Sequence, residues 1–258
     1  MTVMISSSQN PKIRLVRALA GRPKERREAN AFLAEGIRLV EEAFAANWPF
    51  RFVVCSDELS ERGNELIKKL EDKKIEVEKA ERSLLQSLSE TETSQGIIAV
   101  LNHNPLTITS SPNFILIPDS IRDPGNLGTL LRSADAAGVQ AVLIPPETTD
   151  AFAPKVLRAG MGAHFRLPIQ SMSWNEIHEC TKDLQVFLAD MDGQSCWETD
   201  FKSPLALIIG GEAEGASDEA RKLANTSVKI PMAGKTESLN AAVAGSVLMF
   251  QVIRQRKS

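Results

Sequence analysis

Lys229-Ile230-Pro231-Met232-Ala233-Gly234-Lys235-Thr236-Glu237-Ser238-Leu239-Asn240 changes character twice within a dozen residues. The run Ser227 to Ile230 reads as a short strand, and Pro231 halts it because proline carries no backbone donor. A small polar loop follows. From about Glu237 to Arg256 the residues are mostly small or apolar and read as one long helix. Such a loop gathers backbone N–H groups with short hydroxyl and amide side chains, which is how a chain holds a small polar ligand close to itself.

Two familiar motifs pass close to this region and fail. Gly234-Lys235-Thr236 would close a phosphate loop only with glycine at position 229, which is lysine. Gly210-Gly211-Glu212-Ala213-Glu214-Gly215 follows an apolar run and precedes a helical stretch, as a dinucleotide-binding turn does. Its third position is Glu212, and a carboxylate there repels a pyrophosphate.

Apolar runs at Phe114 to Ile117, Val139 to Ile144, Phe165 to Pro168, Gln185 to Ala189, Leu205 to Ile209 and Val228 to Ile230 alternate with helix-like stretches. Continuous runs of this kind mark strands buried on both faces, so the C-terminal part is expected to be a roughly six-stranded parallel α/β domain. Asn102 to Asn113, with Pro105 and Pro112, has the composition of a linker. Ahead of it, Asn10-Pro11 starts a helix carrying Ile13, Val16 and Ala20 on one face. Strand-like and helix-like stretches then alternate from Phe32 to Leu101, a second α/β unit with its own core. The expected domains are 1–104 and 105–258.

A chain of 258 residues can bury two such cores. With 43% hydrophobic and 24% charged residues it reads as a soluble globular protein. No apolar stretch is long enough for a bilayer, and Met1 to Asn10 lacks the parts of a secretion signal, so a cytoplasmic location is expected. Cys55, Cys180 and Cys196, and His103, His164 and His178, have no metal-ligand spacing. Neither a metal nor a disulfide framework is expected.

The net charge of −3 hides an asymmetry. Between Pro11 and Glu28, seven basic residues face two acidic ones, a local +5 that leaves −8 elsewhere. Lys12, Arg14, Arg22, Lys24, Arg26 and Arg27 are the candidate nucleic-acid contacts. A solvated helix face has the same composition.

Polar residues cluster where strands end. Asp123-Pro124-Gly125-Asn126 follows the first apolar run of the second domain, turns the chain and opens a helix that Gly138 is placed to close. Arg132 lies less than two turns further on. Leu207 to Ser217 exposes the N–H groups of Gly210, Gly211 and Gly215 beside Glu212, and Ser238 and Asn240 stand at the start of the last helix. Open parallel sheets place their ligands at these carboxyl ends. Taken singly, Asn126 also reads as a helix cap and Arg132 as a surface charge.

Together and in this order, the three segments resemble motifs one, two and three of the SpoU (TrmH-like) family of RNA ribose 2'-O-methyltransferases, in the SPOUT class. Asn10-Pro11-Lys12 through Phe32-Leu33-Ala34-Glu35-Gly36 is similar to the RNA-binding N-terminal domain of such proteins, which has an L30e-like fold. The likeness covers nearly the whole chain. It implies a SPOUT parallel sheet with a C-terminal deep trefoil knot, a rare exception to unknotted topology. It further implies S-adenosylmethionine as cofactor and a homodimer packed through the knotted region, with sites drawing on both subunits.

Carried onto this sequence, the resemblance gives Asn126, Arg132, Glu212, Ser238 and Asn240 as catalytic positions. Leu207, Ile209, Gly210, Gly211, Ile230, Met232, Ser238, Leu239 and Ala244 would hold the cofactor. Arg132 matches an arginine often assigned as base, but a guanidinium stays charged in proteins. A clamp on an RNA phosphate, favouring the nascent alkoxide, suits it better. The substrate implied is 23S ribosomal RNA, with transfer RNA and a catalytically idle RNA-binding protein as the alternatives. With no tyrosine in the chain, base stacking would fall to Phe or Trp.

Overall fold

A computed structural model describes residues 4–89, 94–212 and 215–257. Met1 to Val3 of the N-terminal segment, and Ala213 and Glu214 of the glycine loop, lie outside the described residues. The chain divides into two compact units.

In the first unit, Asn10 starts α1 (Pro11–Ala20): its side chain accepts the Lys12 N–H at 2.9 Å while Pro11 presets the first turn. Ile13, Val16 and Leu19 are fully buried along one face. The basic stretch continues as a second helix, α2 (Pro23–Ala29), which ends at Asn30 in the left-handed conformation, φ 47°. There follow β1 (Ala31–Glu35), α3 (Ile37–Ala45), β2 (Phe50–Cys55), α4 (Glu61–Asp72), β3 (Val77–Lys79), α5 (Arg82–Gln86) and β4 (Ile97–Asn102). The sheet order is β1-β4-β2-β3, with β4 antiparallel to both neighbours and β3 parallel to β2. Leu33, Val54 and Val100 pack with Ile13, Val16 and Leu19 in one core.

The second unit opens with β5 (Phe114–Pro118), α6 (Pro124–Ala136) and β6 (Ala141–Ile144). The next segment, Phe152–Phe165, clusters with the first unit. It contains α7 (Pro154–Gly160) and a 3-10 turn at Ala163–Phe165. Phe32 of β1 lies 5.0 Å from Phe152, and Trp48 lies 5.3 Å from Phe165, ring centre to ring centre. This aromatic packing explains why the segment joins that core.

The second unit resumes with β7 (Ile169–Ser171), α8 (Trp174–Thr181), β8 (Gln185–Ser195), β9 (Leu205–Ile209), α9 (Asp218–Leu223), β10 (Thr226–Lys229) and α10 (Ala241–Arg256). All five pairings of its six-stranded sheet are parallel, in the order β10-β8-β9-β5-β6-β7. The chain leaves β5 toward β6 on one side and leaves β9 toward β10 on the other. The crevice between β5 and β9 is therefore a topological switch point, where open parallel sheets bind ligands. Among the described residues no helix is long and apolar enough to cross a membrane, and no group of three side chains could hold a metal.

Four local expectations need correction. Phe165 to Pro168 is not a strand: Phe165 ends the 3-10 turn, and pairing starts only where the Pro168 carbonyl accepts the Val142 N–H at 2.8 Å. The strand from Gln185 continues past Ala189 to Ser195, shifting register against β10 between Ser227 and Val228. The last helix starts at Ala241, not near Glu237, with Asn240 as its cap. Asn126 does not cap α6: Asp123 does, accepting the Asn126 N–H at 2.8 Å.

Candidate active site

Because Asp123 caps α6, the Asn126 side chain is free for other work. Its amide donates to Glu212 Oε1 at 2.9 Å, and its carbonyl accepts from the Asn240 amide at 3.0 Å. Asn240 Nδ2 also donates to the same Glu212 oxygen, and the Ala241 N–H approaches that oxygen at 3.3 Å. The Asn240 carbonyl caps α10, accepting from Ala242 and Val243 at 3.0 and 3.2 Å. Three loops thus meet at one carboxylate. That carboxylate sits at a helix N-terminus, where backbone N–H groups and the helix dipole favour negative charge.

The loop bearing Glu212 is held from beneath. Asp119, only 1% exposed, accepts the Ser217 N–H at 2.6 Å, and Ser120 Oγ donates to its other oxygen at 3.2 Å. Gly211 and Gly215 exchange N–H···O bonds of 3.1 Å across the loop. A side chain at 211 would collide with the Ser120 carbonyl, so only glycine lets the two turns approach.

A cavity of about 970 Å³ opens beside this junction. Of the proposed cofactor positions, Ile209, Gly210, Gly211, Ile230 and Met232 line it, as do Ser238, Leu239 and Ala244. Leu207 does not; it is wholly buried within β9. Glu212 and Asn240 line the cavity as well. A second cavity of about 220 Å³ is lined by Ser120, Arg122, Asp123 and Asn126 and shares Gly211, Glu212 and Gly215 with the first. Arg132 is exposed on α6 and lines neither.

Two charged residues of the large cavity escaped the sequence reading, Asp190 and Arg221, paired at 2.6 Å. The Asp192 N–H, and then Arg221, hold the Asp190 carboxyl below its ordinary range. Its position just after the run Gln185 to Ala189, where a parallel strand meets its crevice, is the signal that would have found it.

The candidate RNA contacts divide. Arg14, Arg22, Lys24 and Arg27 are exposed. Arg26 is 5% exposed and donates to the carbonyls of Leu19 at 2.7 Å and Gly21 at 3.2 Å, a role within the fold. Lys12 pairs with Glu76 and Glu78. Burial works against its charge, but bonds to these carboxylates outweigh it and hold the ammonium above its ordinary value.

The parallel sheet whose strand-end loops join at this Asn–Glu–Asn junction lies in the stretch that the SpoU rRNA Methylase family model matches, residues 113–250. The chain belongs to that family. An MRM3-like substrate binding domain model matches residues 10–99. The chain is 33% identical over 251 residues to the 23S rRNA (guanosine(2553)-2'-O)-methyltransferase RlmP of Bacillus subtilis, covering 96% of this chain and 98% of that one. It is 30% identical to the 23S rRNA (uridine(2479)-2'-O)-methyltransferase of Streptomyces viridochromogenes, covering 98% and 92%. The crystal structure of the SpoU methyltransferase AviRb from Streptomyces viridochromogenes with AdoMet superposes with a TM-score of 0.87 at 29% identity, over 97% of this chain and 99% of that one.

Proposed function

We propose that this protein transfers a methyl group from S-adenosylmethionine to a ribose 2'-oxygen of RNA, with 23S ribosomal RNA as substrate. The observation that carries the reading is the junction of Asn126, Glu212 and Asn240 at the edge of the large cavity. The cavity suits the cofactor chemically. Ile230 and Leu239 offer apolar surface for an adenine, the glycine loop offers main-chain groups, and Glu212 and Glu237 suit a cationic sulfonium.

When bound, S-adenosylmethionine supplies an electrophilic methyl group, which leaves alignment and charge to the protein. Asn126 and Asn240 fix Glu212, and the three together orient the sugar hydroxyl at the cavity mouth, with Ser238 on the cofactor side. Arg132 clamps the RNA phosphate and favours negative charge developing on the oxygen. Because it lines neither cavity of its own chain, this reading has it serve the partner's site in a homodimer. Val243 and Phe250, 48% and 50% exposed one heptad apart on α10, offer an apolar face for that dimer. The same reading includes the trefoil knot, a cytoplasmic location, and domains at 1–104 (L30e-like, RNA-binding through Arg14, Arg22, Lys24 and Arg27) and 105–258.

Titration calorimetry with S-adenosylmethionine, followed by mass mapping of 2'-O-methyl groups on 23S RNA treated with the protein, tests the proposal. Saturable binding and one new methylated ribose are expected. Absence of both would sink it; Arg132→Ala is expected to abolish transfer with cofactor affinity held within severalfold.

A further inference from the structure

Strand β8 does not run evenly beside β10. It pairs Phe187 and Leu188 with Thr226 and Ser227, then resumes only at Gln194 and Ser195, opposite Val228 and Lys229. Ala189 to Gly193 therefore bulge away from β10. Gly193 lets the chain return, since a side chain there would collide with the backbone of Ser227 and Val228. Bulges beside sites re-aim side chains, and this one brings Ala189, Asp190 and Met191 into the lining of the large cavity.

Within the bulge, Asp190 is held from two sides and its side chain is 16% exposed. Oδ1 accepts the Asp192 N–H at 3.0 Å, and Oδ2 accepts from Arg221 at 2.6 Å. A carboxylate oxygen has two accepting positions, so each oxygen keeps one. Arg221 balances the charge, and what Asp190 then offers is two adjacent acceptors rather than a net negative field. That suits a pair of neutral hydroxyls better than an ammonium group. Asp190 also stands in the middle of the site: β8 lies between β9, which leads into Glu212, and β10, which leads into Ile230. With the adenine on Ile230 and Leu239 and the sulfonium by Glu212, the ribose that joins them falls at the end of β8. We propose that Asp190 accepts the 2'- and 3'-hydroxyls of the cofactor ribose, with the Asp192 N–H and Arg221 fixing the carboxylate; this rests on the S-adenosylmethionine reading above.

The test is titration calorimetry of the full chain with S-adenosylhomocysteine and its 2'-deoxy and 3'-deoxy analogues. The parent protein is expected to bind each deoxy analogue roughly ten-fold or more weakly, the scale for one hydrogen bond to a charged group. Asp190→Ala is expected to bind all three ligands about alike and weakly, because no acceptor is left to miss the hydroxyls. Arg221→Gln keeps the acceptor but loosens it, so it should weaken S-adenosylhomocysteine by less and still prefer it to the deoxy forms. The parent comparison needs no variant and holds even where Asp190→Ala fails to fold. A parent indifferent to both hydroxyls, or an Asp190→Ala protein that discriminates as the parent does, would overturn the assignment while leaving the methyltransferase reading intact. So would an Asp190→Ala loss that vanishes with S-inosylhomocysteine, which lacks the adenine amino group, since the carboxylate would then be reading the base. A parent protein that binds no S-adenosylhomocysteine at all would overturn the cofactor reading as well.

Discussion

Glu212 holds the candidate site together with one oxygen, which accepts from Asn126, Asn240 and the Ala241 N–H. In Glu212→Gln an amide competes with those donors, so both asparagines lose their alignment. Turnover is expected to fall roughly a hundred-fold or more, the scale for losing one preorganised polar group, while calorimetry shows cofactor affinity changed only severalfold. Cys55 supplies a prediction away from the site. It is 1% exposed, and burial pushes its thiol from near 9 up to about 11. A folded-state value above the unfolded one means the stabilisation is complete below pH 9 and is lost as pH rises toward about 11. Cys55→Ala is expected to show a shallower loss of stability across that window in urea titrations, by about 2 kcal/mol at its upper end. The residue types needed at the site were legible, but not each one's task. Asp123 and Asn126 are both good caps, and Asp123 takes the role because Pro124, immediately after it, occupies the first helical position.

Among the elements, α2 separates two kinds of arginine that composition treats alike. Helical periodicity turns Arg26 inward onto the carbonyls that end α1, while Arg22, Lys24 and Arg27 stay in solvent. Arg26→Ala is expected to cost about 1–3 kcal/mol in chemical denaturation, because the buried Leu19 carbonyl loses its donor, and to leave the salt dependence of RNA binding intact. Neutralising Arg22, Lys24 and Arg27 is expected to do the reverse: unchanged stability, and a log–log salt slope shallower by roughly 0.7 to 0.9 for each phosphate left without its cation. The start of α10 follows similar local logic. Asn240 caps the helix, so Glu237 to Leu239, which composition would place inside it, are left to line the cavity.

For the molecule entire, the proposed dimer decides whether Arg132 can act. Placing glutamates at Val243 and Phe250 is expected to convert a dimer to a monomer in sedimentation velocity and to remove activity, with the six-stranded sheet intact by circular dichroism. Both side chains are about half exposed, so replacing them opens no cavity in the core beneath. A variant that stays dimeric would move the interface off this face of α10.

Local patterns were enough for the alternation of strands and helices, for most of the apolar runs of the second unit, and for the polar residues at strand ends. Each of these depends on residues adjacent in the chain, through apolar period, proline and glycine placement, and capping. Pairings between distant residues obeyed the sheet order instead. Asn126 meets Glu212 and Asn240 across 86 and 114 positions because β5 and β9 are neighbours and diverge at the same edge. The inward turn of Arg26 and the attachment of Phe152–Phe165 to the first core were likewise settled by packing. Which surface excludes water there depends on neighbours that the chain reaches only after it has folded.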